Sequence, residues 1–239
     1  MSVAAMGVAA LRRVARAAAR DFEAFALPQR CPACGHPAEP RRLLCERCLA
    51  AIPALSFAVC AHCLLRGREP VGCRRHPRAQ VWPALVFDER AALLVHALKY
   101  GGRPGLAEAL GTRLAEALPA SLEVDLVTAV PLHSARRRER GYNQAWHLAL
   151  ALAARRGLPA IEDVMTRVRA TAAQARLDPS ERRRNLAGAF RVPEAVSYRG
   201  RRVLVVDDVL TTGATLEACL EALAEAGARP VGAALAWAQ

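Results

Sequence analysis

One stretch near the carboxyl end of the sequence combines acids, hydroxyls and a glycine in an order that suits a phosphorylated ligand. The segment VLVVDDVLTTGAT (203–215) reads as a buried strand that delivers Asp207 and Asp208, followed by a threonine-rich turn. Backbone N–H groups of such a turn and the N-terminus of a following helix can surround a phosphate. Gly213 permits a close backbone approach. The Walker lysine motif and the dinucleotide glycine fingerprint are both absent, which excludes those two classes of phosphate site.

A chance arrangement is the alternative for this stretch. A strand can end in two acids and be followed by a threonine that caps a helix, with no ligand involved. The combination of paired acids, hydroxyls and glycine favours the ligand site.

A second group of residues with chemical potential is the cysteine-rich stretch. Seven of the eight cysteines lie between residues 31 and 73. They form a CxxC…CxxC set and a CxxC…CxxH set of nearly equal spacing: Cys31, Cys34, Cys45 and Cys48, then Cys60, Cys63, Cys73 and His76. Each CxxC turn directs two sulfur atoms at one point, and two turns complete a tetrahedron that suits zinc. Because four protein ligands leave no open position, both sites are predicted to be structural.

Alternatives remain for these cysteines. Structural disulfides and an iron–sulfur cluster use similar spacings, and His62 competes with His76 as the fourth ligand of the second set. Cys219 lies in an apolar helical stretch and is predicted to be a small buried side chain.

These residues need elements that bring them together, and the chain from about residue 84 supplies an alternating pattern. Strands are predicted over 84–89, 124–131, 161–165, 202–208 and 229–236, and helices over 89–100, 104–118, 141–156 and 215–226. Alternation of this kind predicts an α/β fold with a parallel sheet flanked by helices. Ligands bind such sheets at the carboxyl ends of the strands, where Asp207 and Asp208 are expected.

The chain of 239 residues is predicted to contain an Ala/Arg-rich amphipathic helix (1–27), a zinc-binding module (28–80) and the α/β domain (84–239). A hydrophobic fraction of 53% excludes a disordered protein, and no apolar run is long enough for a transmembrane helix. The first helix packs on the protein itself, binds a membrane surface or partner, or is a cleaved transit peptide. Arginines interrupt any secretory signal, so we expect a cytosolic protein.

The charge balance predicts an anionic partner. The formal net charge is +12, and Lys99 is the only lysine among 34 basic residues; a phosphorylated metabolite, nucleic acid or a lipid surface would match it. Arg138 and Arg140 follow the predicted strand 124–131, and their guanidinium groups suit diphosphate oxygens, although a solvated basic loop is the alternative. Lys99, at a helix end, is another candidate for pyrophosphate. The arginine-rich stretch 167–188 either closes over a ligand or binds a nucleic-acid backbone.

The order of two acids, two further residues and TTGAT resembles the 5-phosphoribosyl-1-diphosphate (PRPP) loop of type I phosphoribosyltransferases. The resemblance implies that Asp207 and Asp208 bind the ribose hydroxyls. It also implies that the loop, comprising Thr211, Thr212, Gly213, Ala214 and Thr215, holds the 5′-phosphate. Mg²⁺ would accompany the diphosphate.

Further segments resemble the ComF family of competence proteins and GntX-like proteins. They are Leu98-Lys99-Tyr100-Gly101, Val130-Pro131-Leu132, RERGYNQ (138–144) and the arginine-rich stretch, and with the cysteines the resemblance covers residues 28–236. His76 departs from the family, where a cysteine is expected. The resemblance implies uptake of single-stranded DNA in natural transformation, at the cytoplasmic face of an inner-membrane uptake channel.

These observations support three functions. The first is a Mg²⁺-dependent phosphoribosyltransferase that transfers from PRPP to an unidentified acceptor. The second is a non-catalytic protein that binds single-stranded DNA with the same fold. A zinc-ribbon transcription regulator with PRPP as effector is the third, and the sequence shows no helix-turn-helix to support it.

Overall fold

The computed structural model describes residues 30–37, 45–65, 73–100, 104–169, 179–193 and 197–238. Contacts divide the chain into two compact units, residues 1–51 and 52–239. The predicted N-terminal helix (1–27) and residues 170–178 of the arginine-rich stretch lie outside the described residues. The cysteine-rich segment is divided between the units: the first CxxC…CxxC set lies in the smaller unit and the second set in the larger.

The described part of the smaller unit is built around its four cysteines. An antiparallel bridge between Arg30 and Pro37 closes the turn that carries Cys31, and helix α1 (Glu46–Ala51) places Cys48 inside the unit. Cys31 and Cys48 are the only buried apolar side chains among the residues described there. Few apolar side chains are therefore buried in the part of this unit that the structure describes.

The larger unit is built on a sheet of five strands in the order β1-β2-β7-β6-β3. The strands in chain order are β1 (Val59–Cys60), β2 (Gln80–Val86), β3 (Leu126–Ala129), β4 (Thr166–Arg167), β5 (Phe190–Arg191), β6 (Arg202–Leu210) and β7 (Arg229–Trp237). Strands β4 and β5 form a separate antiparallel ribbon. Within the large sheet β1 is antiparallel to β2, and the other neighbours are parallel. This confirms the predicted parallel sheet.

Helices cover both faces of this sheet, which confirms the second half of the prediction. They are α2 (Glu89–Tyr100), α3 (Pro104–Ala117), α4 (Ser134–Arg140), α5 (Gln144–Arg156), α6 (Pro179–Leu186) and α7 (Ala214–Glu225). Val203 and Val205 of β6 share a core with Leu216, Leu220 and Leu223 of α7. Helices α3 and α5 pack on each other and on the sheet, and the alternate residues of β6 point to that other face.

Several elements differ from the sequence prediction. The strand predicted over 84–89 is Gln80–Val86, because residues 81–86 pair with β7. The helix predicted over 141–156 begins at Gln144, and α4 precedes it as a separate helix. Its sequence SARRRER has no apolar stripe, so hydrophobic periodicity does not reveal it; a His133 cap and Gly141 at φ 74° define its ends. The strand predicted over 161–165 is wrong. A single parallel bridge joins Ala160 to Val127, and a 3-10 turn (Glu162–Val164) then carries the chain into the core.

Candidate functional site

The predicted phosphate loop, residues 211–215 (hereafter the phosphate loop), lies at the junction between β6 and α7. Strand β6 continues to Leu210 because Val209 and Leu210 pair with Ala236 and Trp237 of β7. Gly213 then caps α7 with φ 74° and ψ −12°. A small hollow of about 20 Å³ lies within the loop, lined by Asp207 and residues 209–216. The hollow has room for about one water-sized group, and a turn that leads into a helix N-terminus carries backbone N–H donors.

The paired acids have different surroundings. The buried Asp208 carboxylate accepts from Gln144 Nε2 and forms an ion pair with Lys99 Nζ, each at 2.9 Å. The Asp207 carboxylate instead accepts from the backbone N–H of Asp208 at 2.8 Å. Because neighbouring residues of a strand point to opposite faces of the sheet, only Asp208 meets the side chains of α2 and α5. The two carboxyl groups therefore lie in chemically different environments.

The cationic residues predicted for a diphosphate have different positions. Lys99 ends α2 and its ammonium is paired with Asp208. The Arg140 guanidinium donates to the Tyr100 hydroxyl at 3.2 Å and lies 5.1 Å from the centre of that ring. Arg138 is exposed on α4. Hence the structure brings Lys99 to the acids, puts Arg140 beside the end of the same helix, and leaves Arg138 facing solvent.

Two amides of the GYNQ segment belong to the site, and sequence reasoning did not assign them a role. Asn143 caps α5 through Oδ1 and donates from Nδ2 to the Val130 carbonyl at 3.1 Å. Gln144, 4% exposed, donates to Asp208, and among the described residues its Oε1 has no hydrogen-bond partner. The Tyr142 hydroxyl donates to the Leu98 carbonyl at 2.5 Å. The sequence signal that could have identified Asn143 and Gln144 is that two amide side chains stand at the start of an otherwise apolar helix.

Asp207 has an altered acidity. Burial, followed by the charge of Asp208, raises the pKa of Asp207 to about 8. At neutral pH this carboxyl is therefore mostly protonated, whereas Asp208 has a cation as its partner. Ionised Asp207 is favoured when a cation or a hydroxyl donor arrives beside it.

This pKa predicts how stability depends on pH. Asp207 binds its proton more tightly in the folded chain than in the unfolded one, so its contribution lowers the free energy of unfolding as pH rises from about 4 to about 8. Asp207→Asn removes this dependence. In scanning calorimetry we expect the melting temperature of the variant, relative to the parent, to increase steadily over that pH range.

The control for this experiment is Glu116→Gln, which removes an exposed carboxyl on α3. Its melting temperature should follow the parent at every pH. Parallel curves for Asp207→Asn and the parent would contradict the altered acidity of Asp207.

The eight predicted metal ligands form two compact groups. Within each group the ligand atoms all lie within 4.8 Å of one another. In the first, Cys34 Sγ and Cys45 Sγ are 3.6 Å apart. In the second, His76 Nδ1 lies 3.6 Å from both Cys60 Sγ and Cys73 Sγ. A tetrahedral zinc ion places neighbouring donors about 3.5–3.8 Å apart, so both groups fit such an ion.

The thiols of the second group also differ in acidity. Burial raises the pKa of Cys60 to about 12. Burial acts in the same direction on Cys73, but N–H donors of His76 and Arg75 outweigh it and lower the pKa of Cys73 to about 6.

All eight cysteines lie among the described residues and each is a free thiol, so the disulfide alternative finds no support.

His62 lies next to the second group without joining it. Its Nδ1 is bonded to Glu217 Oε1 at 2.5 Å, and its ring stacks on that of His76 with the ring centres 3.9 Å apart. The structure therefore puts His76, not His62, among the four donors. Glu217 was not identified from the sequence. Its second partner Arg183, 3.0 Å away, belongs to the arginine-rich stretch 167–188, but the sequence does not connect the two residues because they are 34 positions apart.

In the described part of the chain, no helix is long and apolar enough to cross a membrane.

Part of the chain matches a known protein family. The family described as phosphoribosyl transferase domain matches residues 145–239. Among solved structures, a glutamine PRPP amidotransferase from B. subtilis complexed with ADP and GMP aligns with a TM-score of 0.40 and 21% identity. The alignment covers 59% of this chain and 30% of that one.

Two named relatives cover most of the chain. DNA utilization protein YhgH of Salmonella typhimurium is 34% identical over 211 residues, which are 84% of this chain and 80% of the relative. Competence protein F of Haemophilus influenzae is 28% identical over 204 residues, 79% of this chain and 87% of the relative. With its phosphoribosyl transferase domain at the carboxyl end and this extent of likeness, the chain belongs to the ComF family.

Proposed function

We propose that the chain binds PRPP or a related phosphoribosyl ligand at the carboxyl end of β6. The observation that carries this proposal is the arrangement of paired acids, a turn with backbone N–H groups and a helix N-terminus around one small hollow. The 5′-phosphate would lie on the backbone of Thr211–Thr215, and the ribose hydroxyls would donate to Asp207 and Asp208. The ammonium of Lys99, which is paired with Asp208 in this structure, would lie near the diphosphate.

The reaction that this arrangement supports is phosphoribosyl transfer. An acceptor nitrogen attacks C1 of the ribose, and pyrophosphate leaves with the electron pair of the broken C1–O bond. Mg²⁺, bound to the diphosphate and ribose oxygens, would stabilise the leaving group. Asp207 and Asp208 orient the ring, while Arg138 and Arg140 lie on the element after β3 and supply positive charge for the diphosphate.

Binding of PRPP is tested by calorimetric titration of the metal-loaded protein with and without Mg²⁺. We expect binding that requires Mg²⁺ and disappears in the Asp207→Asn/Asp208→Asn double variant, while the metal content of the protein is unchanged. Glu116→Gln serves as the control for loss of a carboxyl outside the site. Equal affinity in the double variant and the parent would contradict the assignment of this pocket.

A second candidate function is binding of single-stranded DNA without catalysis. It is favoured by the net charge of +12, and by relatives named for DNA utilization and competence. Arginine contacts to phosphates predict an affinity that falls steeply with salt concentration. If the same protein preparations bind single-stranded DNA but not PRPP, this function is favoured over phosphoribosyl transfer. The cytosolic location remains a prediction.

For both cysteine groups we propose structural zinc. Their donor sets of four thiolates, and of three thiolates with one imidazole, are those of closed zinc sites.

A further inference from the structure

The second cysteine group is in direct contact with the phosphate loop. Its first CxxC turn runs from Cys60 to Cys63, and Ala61 in that turn is fully buried. A Cβ built on Gly213 would lie 1.8 Å from the Ala61 carbonyl oxygen and 2.9 Å from Ala61 Cα. Only a glycine therefore fits between α7 and the turn that supplies two of the predicted metal ligands.

A buried acid connects the same two elements. Glu217 lies in the first turn of α7 and is 8% exposed. One carboxylate oxygen bonds His62 Nδ1 at 2.5 Å, and the other pairs with Arg183 Nε at 3.0 Å. A charge this buried is unfavourable unless it is paired and hydrogen-bonded, so the partners of Glu217 are held firmly.

Arg183 completes the connection from helix α6. Besides pairing with Glu217, its guanidinium donates to the His62 carbonyl and, at 3.4 Å, to the Thr212 carbonyl. The peptide between Thr212 and Gly213 is planar, and its C=O and N–H point in opposite directions. Because Arg183 holds the Thr212 carbonyl, the Gly213 N–H points away from Arg183. In this orientation the N–H can donate to a ligand.

We propose that Arg183 and Glu217 are positioning residues that hold the phosphate loop against the metal-binding turn of the second cysteine group. The ligand affinity of the loop then depends on the metal at that group. Gly213 contacts Ala61, and Glu217 contacts His62. Through these contacts a well-ordered metal site restricts the motion of the N–H donors of the loop. The role in ligand affinity rests on the proposed function, whereas the order of the loop is a property of the protein alone.

The test compares Arg183→Ala with Arg184→Ala, its exposed neighbour on α6, whose guanidinium bonds only Ser180 in the described contacts. Hydrogen exchange of residues 211–217 measures the loop without any ligand, and exchange of β3 is the internal reference. We expect at least tenfold faster exchange of the loop in Arg183→Ala, unchanged exchange of β3, and a PRPP dissociation constant in Mg²⁺ raised at least tenfold. Arg184→Ala should match the parent in all three.

A second variant tests the dependence on metal. Cys63→Ser should lower the metal content by one ion per chain and accelerate exchange of residues 211–217 as Arg183→Ala does. Parent-like exchange of the loop in either Arg183→Ala or metal-depleted Cys63→Ser would overturn the proposal. If the parent itself does not bind PRPP, the proposed function fails, and the exchange results alone decide whether the metal group orders the loop.

Discussion

Gly213→Ala should produce the largest single loss of stability and should remove ligand binding. The alanine would have to adopt φ 74°, a conformation that disfavours L-residues by about 1–2 kcal/mol. Its Cβ would also meet the Ala61 carbonyl oxygen at 1.8 Å, which forces the loop or the Cys60–Cys63 turn to move. We expect the free energy of unfolding to fall by at least about 3 kcal/mol when this contact is added to the conformational term.

Gly141→Ala is the matched control. Gly141 has the same φ of 74°, but a Cβ there would meet nothing within 4 Å. In Gly141→Ala the free energy of unfolding should therefore fall only by the conformational term, about 1–2 kcal/mol. Urea unfolding of both variants, with a constant slope against urea, measures the difference. Equal losses in the free energy of unfolding of the two variants would show that the close approach of Gly213 to Ala61 makes no contribution to stability.

The pair of Lys99 and Asp208 should show strong energetic coupling. Asp208→Asn leaves an ammonium, 24% exposed, opposite a neutral amide, and Lys99→Met leaves a buried carboxylate without its cation. Each single variant is expected to lose about 2 kcal/mol, and the double variant to recover at least about 1 kcal/mol of the sum. Chemical unfolding of the four proteins in a double-mutant cycle measures this coupling.

The exposed pair of Arg137 and Glu162 provides the reference cycle. Its atoms are also 2.9 Å apart, but the side chains are 54% and 29% exposed, so coupling should stay below about 1 kcal/mol. PRPP binding should be lost in Asp208→Asn and kept in Glu162→Gln. If the losses in the free energy of unfolding of the two single variants simply add in the double variant, the ion pair is not the reason why Lys99 and Asp208 lie together inside the protein.

The sequence alone was sufficient for features whose signal is local. The apolar run before Asp207 predicts β6, because a strand of a parallel sheet is buried on both faces. The cysteine spacing predicts both donor groups, because a CxxC turn brings its two thiols together within four residues. The bounds of α2 were predicted correctly for the same reason, since its apolar positions recur at helical spacing.

The remaining parts of the site depend on contacts between distant residues. Gln144 and Asp208 are 64 positions apart, and His62 and Glu217 are 155 apart. A charged residue in the first turn of a helix, such as Glu217, is ordinary as a sequence pattern. Only the folded chain shows that this acid is buried and that Arg183 is its partner. Likewise, α4 forms from local capping at His133 and Gly141, without an apolar stripe that a sequence pattern would reveal.

The place of the second cysteine group in the chain has a consequence for folding during synthesis. Cys60 and His76 are 16 residues apart, so closing this group around a metal involves a short loop with a small entropic penalty. The phosphate loop follows more than a hundred residues later, and parallel pairing of β6 with β7 is non-local and slow. A ribosome therefore releases the turn of Ala61 well before Gly213. With the proposed zinc bound, the phosphate loop would then be the last part of the site to form, against a turn that the metal has already ordered.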